Sequence, residues 1–357
     1  MAYDSPLSAL QAIEHSPEAA WWQVACAVPS SDTLLTNACV LGVEVVLWRS
    51  SQGWHAALDQ CPHRGAALSN GCVKNNALQC PYHGWEFGSR GECILIPAVP
   101  AFVPTQNHGL ARFSVCEYAG LLWVQLRPNE QALQPASLFR EHTRHLSTAN
   151  TLLVLCGPYD INTSAPRVIE NFLDISHFGT VHAGWLGDPQ HMALQPYRVE
   201  STPHEAVATG CRVWQPQSQT QLQTPPPTAP QRDKPVQSLG AWVDYTYRVA
   251  HPYGAMLTKL PHTAGGITES IAVFVCPRTP TQSRVWFSMA MQDVGQTPHA
   301  VQAFQHTIFM QDAPVLQSQR PALLPLSASA EQHSAADKLS TAYRKLLRHW
   351  GVVFGVC

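Results

Sequence analysis

Two short runs constrain this 357-residue chain more than any other feature: Cys61-Pro62-His63-Arg64-Gly65 and Cys80-Pro81-Tyr82-His83-Gly84-Trp85. Each brings one thiolate and one imidazole, and sixteen residues separate His63 from Cys80. Two Cys and two His on paired loops fit a [2Fe–2S] centre in which two thiolates hold one iron and two imidazoles the other. Neutral imidazoles leave their iron easier to reduce, which raises the potential above that of an all-Cys cluster. A structural Cys₂His₂ zinc site is the alternative. Zinc pairs are usually homotypic at each knuckle, whereas each loop here is mixed and the first spacing is tight. A Pro after each Cys and a Gly soon after each His suit stiff loops whose backbone N–H groups point at cluster sulfides. Trp85 is positioned to shield the second loop from water. The other nine cysteines (Cys26, Cys39, Cys72, Cys93, Cys116, Cys156, Cys211, Cys276, Cys357) show no paired spacing and read as buried small hydrophobes.

A one-electron carrier needs a destination, and a second constellation lies about ninety residues downstream, from Arg167 to His182. Pro166 suits a first helical position, with Thr163 or Ser164 as cap, and the spacing predicts a helix over 166–178. Asn171, Asp174 and His177 recur at intervals of three and would share one helical face. His182 lies about 140° further round an ideal helix than His177, so both imidazoles meet one metal only if the helix distorts or ends between them. Gly179 is the expected break point. Two His and a distant carboxylate form the facial triad of a non-haem Fe(II) oxygenase. Asp312, on an apolar helical stretch containing Pro314, is the expected third ligand, because an acid there costs energy unless paired or metal-bound. Asp188 and Glu170 are its competitors.

The order C-x-H, C-x₂-H, N-x₂-D-x₂-H-x₄-H and then a late helical Asp resembles the Rieske non-haem iron oxygenase α-subunits, from about Trp21 to the C-terminus. Within them the chain is most similar to the α-only, homotrimeric branch. That branch includes vanillate and dicamba O-demethylases, methylxanthine N-demethylases, chlorophyllide/pheophorbide oxygenases and saxitoxin-pathway hydroxylases. The runs Leu41-Gly42-Val43-Glu44-Val45-Val46-Leu47-Trp48-Arg49 and Ala342-Tyr343-Arg344-Lys345-Leu346-Leu347 resemble the last group, and the methylxanthine demethylases also approximate the second run. The resemblance implies that Cys61 and Cys80 hold one cluster iron, His63 and His83 the other, and His177, His182 and Asp312 the mononuclear Fe(II). It gives Asp174 the role of bridging a neighbouring subunit's cluster histidine to a mononuclear-iron histidine; Asn171 either sits near that iron or hydrogen-bonds a neighbouring carbonyl. Gln311 departs from the pattern, since relatives often carry Glu before the ligand Asp.

The implied fold is α+β: an N-terminal antiparallel β Rieske [2Fe–2S] domain over 1–127, then a helix-grip (Bet v 1-like) catalytic domain over 128–357. The division agrees with the pattern. Val40–Trp48, Trp54–Leu58 and Gly120–Leu126 read as strands. Beyond Pro128 come strands at 241–249, 271–276 and 284–291 and helices at about 298–320 and 334–349. The Pro-, Gln- and Thr-rich stretch 215–237 reads as a mobile surface loop.

Net charge is −2 and charged residues make up 13%, which gives no basic footprint for nucleic acid. No apolar run approaches the roughly 18 residues of a membrane span. Neither signal nor transit peptide is apparent, and cysteines without a disulfide framework point to a reducing cytoplasm. No G-x-G-x-x-G follows a strand, so NAD(P)H acts only indirectly, through a separate reductase with or without a ferredoxin. The expected activity is that of a terminal oxygenase: O₂ as co-substrate, hydroxylation of a C–H bond in a small molecule, and release of formaldehyde where that bond lies in an O- or N-methyl group. Arene cis-dihydroxylation is the alternative reaction, and a Rieske electron-transfer protein the non-enzymatic one. The aromatic strand residues Trp242, Tyr245, Tyr247, Phe274, Trp286 and Phe287 are core or pocket wall. For a guanidinium-bearing substrate such as a saxitoxin-like compound, Asp244 is the expected pocket acid.

Overall fold

The computed structural model describes residues 6–146, 151–216, 240–261, 269–292 and 296–357. The chain forms two compact units, Met1–Pro135 with Cys276–Pro280, and Ala136–Val275 with Thr281–Cys357.

The first unit holds α1 (Pro6–Ile13) and ten strands: β1 (Gln23–Ala27), β2 (Leu35–Val40), β3 (Val43–Ser50), β4 (Gly53–Leu58), β5 (Cys72–Lys74), β6 (Ala77–Gln79), β7 (Glu86–Phe87), β8 (Cys93–Leu95), β9 (Arg112–Tyr118) and β10 (Leu121–Gln125). They form a six-stranded sheet in the order β1-β10-β9-β4-β3-β2 and a four-stranded sheet in the order β5-β6-β7-β8. Strands β3 and β10 lie inside the larger sheet; β10 is buried throughout and β3 from Val45 to Trp48, so these stretches read as apolar runs rather than alternations. Three hairpins turn on two residues of positive φ, Leu41-Gly42, Asn75-Asn76 and Ala119-Gly120, the conformation whose twist matches that of paired strands. Cys61 and Cys80 sit in one apolar cluster with Val46, Trp48, Leu68, Leu78, Phe87 and Ile96.

In the second unit α2 (Pro135–Leu138) and α3 (Arg140–Leu146) precede a seven-stranded antiparallel sheet. Its strands are β11 (Thr151–Ile161), β12 (Arg198–Ser201), β13 (Ala206–Pro216), β14 (Gly240–His251), β15 (Gly254–Pro261), β16 (Glu269–Thr279) and β17 (Gln282–Gln292), in the order β11-β17-β16-β15-β14-β13-β12. Four helices complete it: α4 (Ala165–Leu173), α5 (Phe178–Val181), α6 (Pro298–Ser318) and α7 (Lys338–His349). Of the stretch 215–237, Gln215 and Pro216 close β13 and the remainder lies outside the described residues.

Strand alternation gives this sheet two faces. Phe274 meets Phe139 at 4.9 Å on the face covered by α3. Tyr247 and Phe287 on the other face meet Phe172 of α4, at 6.0 and 6.4 Å, and Phe287 meets Phe309 of α6 at 5.7 Å. Among the described residues no helix is long and apolar enough to cross a membrane.

His142 pins α3 to its face of the sheet, with Nδ1 and Nε2 each 2.9 Å from a hydroxyl, of Ser270 and Ser288 respectively. Burial pushes its imidazole down to about 3 from the usual 6.5. The unfolded chain takes up this proton below pH 6.5 while the fold refuses it, so the contribution is intact above 6.5 and lost progressively as pH falls toward 3. Stability should fall by up to about 1.4 kcal/mol per pH unit from this group. His142→Gln, which keeps donor and acceptor without titrating, should flatten that slope between pH 6.5 and pH 4.5 in urea unfolding. An unchanged slope would assign it elsewhere.

Candidate functional site

The two cysteine–histidine loops have the same backbone build. In the first, Cys61 N–H donates to the Ala66 carbonyl at 2.8 Å and Gly65 N–H to the Cys61 carbonyl at 2.9 Å. In the second, Cys80 N–H donates to the Trp85 carbonyl at 2.9 Å and Gly84 N–H to the Cys80 carbonyl at 3.2 Å. Both closures need a left-handed residue at the fifth position, and Gly65 (φ +71°) and Gly84 (φ +69°) supply it. The first loop is pinned from behind by Asp59, which accepts from Ser69 N–H at 2.8 Å and Ser69 O–H at 2.5 Å.

Cys61 and Cys80 are 2% and 3% exposed, whereas His63 and His83 are exposed, so the thiols face inward and the imidazoles outward. Burial, together with the neighbouring Cys80 thiol and opposed in part by backbone N–H groups, pushes the Cys61 thiol up to about 11. Such a site favours a cation that takes the protons' place. The imidazoles lie 4.6 Å apart between ring centres. Trp85, expected to cover its own loop, instead stacks on His63, 4.6 Å away and within 7° of parallel. Two inward thiols and two outward imidazoles fit a [2Fe–2S] group with mixed ligation.

In the second unit Ser164 caps α4, its Oγ accepting from Arg167 N–H at 3.4 Å, and Pro166 stands in the first turn. The helix ends at Leu173, five residues earlier than the spacing predicts, and Asn171, Asp174 and His177 do not share a continuous helical face. Asp174 causes the break. Its Oδ1 accepts from Ser176 N–H at 2.7 Å and Ser176 O–H at 2.6 Å, an Asx turn that competes with the helical hydrogen bond. The chain re-enters a single turn, α5, flanked by His177 and His182. Gly179, expected to break the helix, lies within α5, where an added Cβ would sit 2.9 Å from Met192 and 3.1 Å from the Asp188 carbonyl.

The break brings the two imidazoles together on one side of α6. His177 Nε2 and His182 Nε2 lie 3.5 and 3.2 Å from Asp312 Oδ1. One donor atom from each of the three residues falls within 4.8 Å of the others. The outer ring nitrogens are occupied: His177 Nδ1 lies 3.2 Å from Asp174 Oδ2, and His182 Nδ1 2.7 Å from Gln311 Oε1. Asn171 Nδ2 donates to Asp312 Oδ1 at 3.3 Å. Burial would raise the Asp174 carboxyl, but the His177 imidazole and both Ser176 donors outweigh it and hold it below its usual value. Two neutral imidazoles and a carboxylate, with both imidazoles held from behind, are the donor set of a divalent iron site with open positions.

The competing acids are engaged elsewhere. Asp188 lies 2.8 Å from His191 Nδ1. Glu170 accepts from Arg344 Nε and Nη2 at 2.6 and 2.8 Å. Asp244 does not join the site either: it accepts from Arg212 Nε at 3.0 Å, on the sheet face opposite Tyr245. The spacing gave no sign of the Gln311 contact, which depends on how α6 packs against α5. Nor did it reveal the network of Arg344 with Glu170 and Glu331, and of Arg167 with Glu331 at 2.7 Å, that ties α4 to α7.

A cavity of about 330 Å³ is lined by Asn171, Asp174, His177, Glu331, His333 and Arg344 among others. The guanidinium of Arg344 is 6% exposed and closes this network at Glu170, next to Asn171. Arg344→Ala removes both hydrogen bonds to the Glu170 carboxylate, which keeps only Arg167 at 3.8 Å among the described residues, while Glu331 stays paired with Arg167, and should cost about 3 kcal/mol. The check is the thermal midpoint, expected to drop by several degrees. A shift within one degree would mean that the pairs contribute no net stability.

Residues 22–113 match the Rieske [2Fe-2S] domain family, and residues 161–352 match the vanillate O-demethylase oxygenase C-terminal domain family. Methylxanthine N1-demethylase NdmA of Pseudomonas putida is 29% identical over 87% of this chain and 80% of its own length. Methylxanthine N3-demethylase NdmB of the same organism is 29% identical over 86% of the chain and 80% of its own. The NdmB structure superposes with a TM-score of 0.75 at 25% identity, covering 95% of this chain and 92% of that one. Dicamba monooxygenase bound to dicamba shares the fold, with a TM-score of 0.71 at 18% identity over 94% and 98% of the two chains. With both families carried in sequence along one chain, the protein belongs to the Rieske non-haem iron oxygenases as an α-subunit, with a Rieske [2Fe–2S] cluster and a mononuclear iron as its cofactors.

Proposed function

We propose that this oxygenase removes an N-methyl group from a small, flat, nitrogen-containing molecule. Similarity to two methylxanthine N-demethylases over most of the chain supports this reading. The observation that carries it is the convergence of His177, His182 and Asp312, with donor atoms within 4.8 Å of one another, beside an aromatic wall. Cys61, Cys80, His63 and His83 would hold the cluster, and His177, His182 and Asp312 the mononuclear iron. Bound there, the two groups supply stored single electrons and activation of O₂.

The chain's own residues do the rest. Asp174 fixes the ring orientation of His177 through Nδ1, and Gln311 that of His182. Asn171 holds the Asp312 carboxylate by one oxygen. Phe172, Phe178, Tyr245 and Phe287 keep water from the substrate's side of the centre. A methyl group hydroxylated there leaves nitrogen as formaldehyde. The division into a cluster domain over 1–127 and a catalytic domain over 128–357, a cytoplasmic homotrimer, Asp174 as the bridge to a neighbouring subunit's cluster, and a separate reductase with or without a ferredoxin complete the reading.

Reconstitution with NADH and a surrogate reductase should give formaldehyde from an N-methylated purine in step with O₂ uptake. Asp174→Ala should retain the labile sulfide of the cluster and lose about 10- to 100-fold in turnover, in part through weaker mononuclear iron binding, since it removes the carboxylate that holds His177. Formaldehyde formation at parental rates by Asp174→Ala would overturn the role given to this acid. Formation of a cis-diol from an arene would overturn the demethylase reading.

A further inference from the structure

The two imidazoles that meet Asp312 are held from behind by groups of different charge. Asp174 Oδ2, a carboxylate oxygen, lies 3.2 Å from His177 Nδ1, whereas Gln311 Oε1, an amide oxygen, lies 2.7 Å from His182 Nδ1. The chemistry of the site fixes which way the amide points. A cation at His182 Nε2, the atom 3.2 Å from Asp312 Oδ1, leaves the ring proton on Nδ1, so the amide must present its oxygen. Gln311 and Asp312 are consecutive residues of α6. One helix therefore supplies both a carboxylate for the centre and the neutral acceptor behind one of its imidazoles.

Charge at the centre gives this asymmetry a consequence. His182 is 1% exposed and Asp312 7%, so excess charge there is costly. Asp174 and Asp312 bring one negative charge each, while the charges of Arg167, Arg344, Glu170 and Glu331 cancel among themselves. A ferrous ion on His177, His182 and Asp312 would make this set neutral, and a ferric ion would leave one excess positive charge. A carboxylate at position 311 would invert the balance, with the ferric form neutral and the ferrous form carrying one excess negative charge. A carboxylate behind an imidazole also raises the basicity of the ligating nitrogen, which acts in the same direction.

We propose that Gln311 sets the redox poise of the mononuclear centre: its uncharged amide, standing where a second carboxylate could stand behind His182, holds the iron ferrous. Asp174 supplies one carboxylate, enough to orient and strengthen His177 as a ligand. A second, behind His182, would bind iron more tightly and release its electron more readily, at the expense of the Fe(II) state that O₂ chemistry at open positions needs. Gln311 acts through His182 and touches no reacting atom, which makes it a positioning residue. The inference rests on His177, His182 and Asp312 being the iron ligands, and goes beyond that assignment to what decides the oxidation state.

The test is potentiometric titration of the iron-loaded protein followed by EPR, which reads the reduced cluster and the high-spin ferric mononuclear iron in the same samples. Gln311→Glu, equal in size, should shift the ferric-to-ferrous ratio at a given potential at least about tenfold toward ferric. That is a fall of about 60 mV or more in the iron midpoint, with the cluster midpoint unchanged. Gln311→Leu adds no charge and should leave the ratio within about tenfold of the parent, while iron affinity falls about 10- to 100-fold. Asp174→Asn keeps an acceptor for Ser176 and loses the charge behind His177, so it should shift the ratio at least about tenfold toward ferrous. It carries the test if Gln311→Glu fails to fold or to load iron. An iron midpoint unmoved or raised in Gln311→Glu, unmoved in Asp174→Asn, or lowered as far by Gln311→Leu as by Gln311→Glu would overturn the proposal, since a residue that only orients the ring does not respond to charge. Failure of the ligand assignment shows separately, as a ferric signal that survives unchanged in His182→Ala.

Discussion

The carboxylate of Asp174 is the interaction on which the catalytic unit's centre depends. By accepting from Ser176 N–H and O–H it ends α4 at Leu173, and through its other oxygen it fixes the His177 imidazole 3.2 Å away. An uninterrupted helix would carry His177 and His182 to different faces. The break lets both Nε2 atoms point at Asp312 of α6. A partly buried acid with this many partners keeps its charge, and the partners cost nothing further when a cation joins them, because they are already held.

The cluster unit reaches preorganisation by another route. Its two ligand loops repeat one backbone pattern, closed by hydrogen bonds from the Cys N–H and from a left-handed glycine N–H. Hairpin geometry and core packing fix the thiols inside an apolar cluster and leave the imidazoles at the surface. Electrons can therefore enter and leave on the imidazole side while the thiolates stay dry, the arrangement expected of a carrier that exchanges electrons with a partner site.

Much of this was legible in the sequence, for physical reasons that differ from residue to residue. The loop cysteines and histidines declared themselves through spacing, because two tight loops need their ligands local in the chain. The strands β3, β10, β16 and β17 and the helix around Asp312 followed from apolar patterning. The end of α4 did not: propensity continues through Asp174, and only the side chain's competition for backbone N–H groups stops it. Trp85 shields the opposite loop's histidine because stacking depends on the fold between the loops. Asp244 lies on the outer face beside Arg212, since strand register, which a single strand cannot reveal, decides which side chains meet.

The central claim is that one chain carries both a mixed-ligand cluster and an open mononuclear site. Anaerobic EPR of the dithionite-reduced protein, before and after nitric oxide, tests it most directly. The account predicts a rhombic Rieske signal together with a high-spin Fe(II)–nitrosyl signal, the latter lost in His182→Ala while the former persists. A Rieske signal with no nitrosyl in fully iron-loaded protein, or silence from both centres, would contradict it.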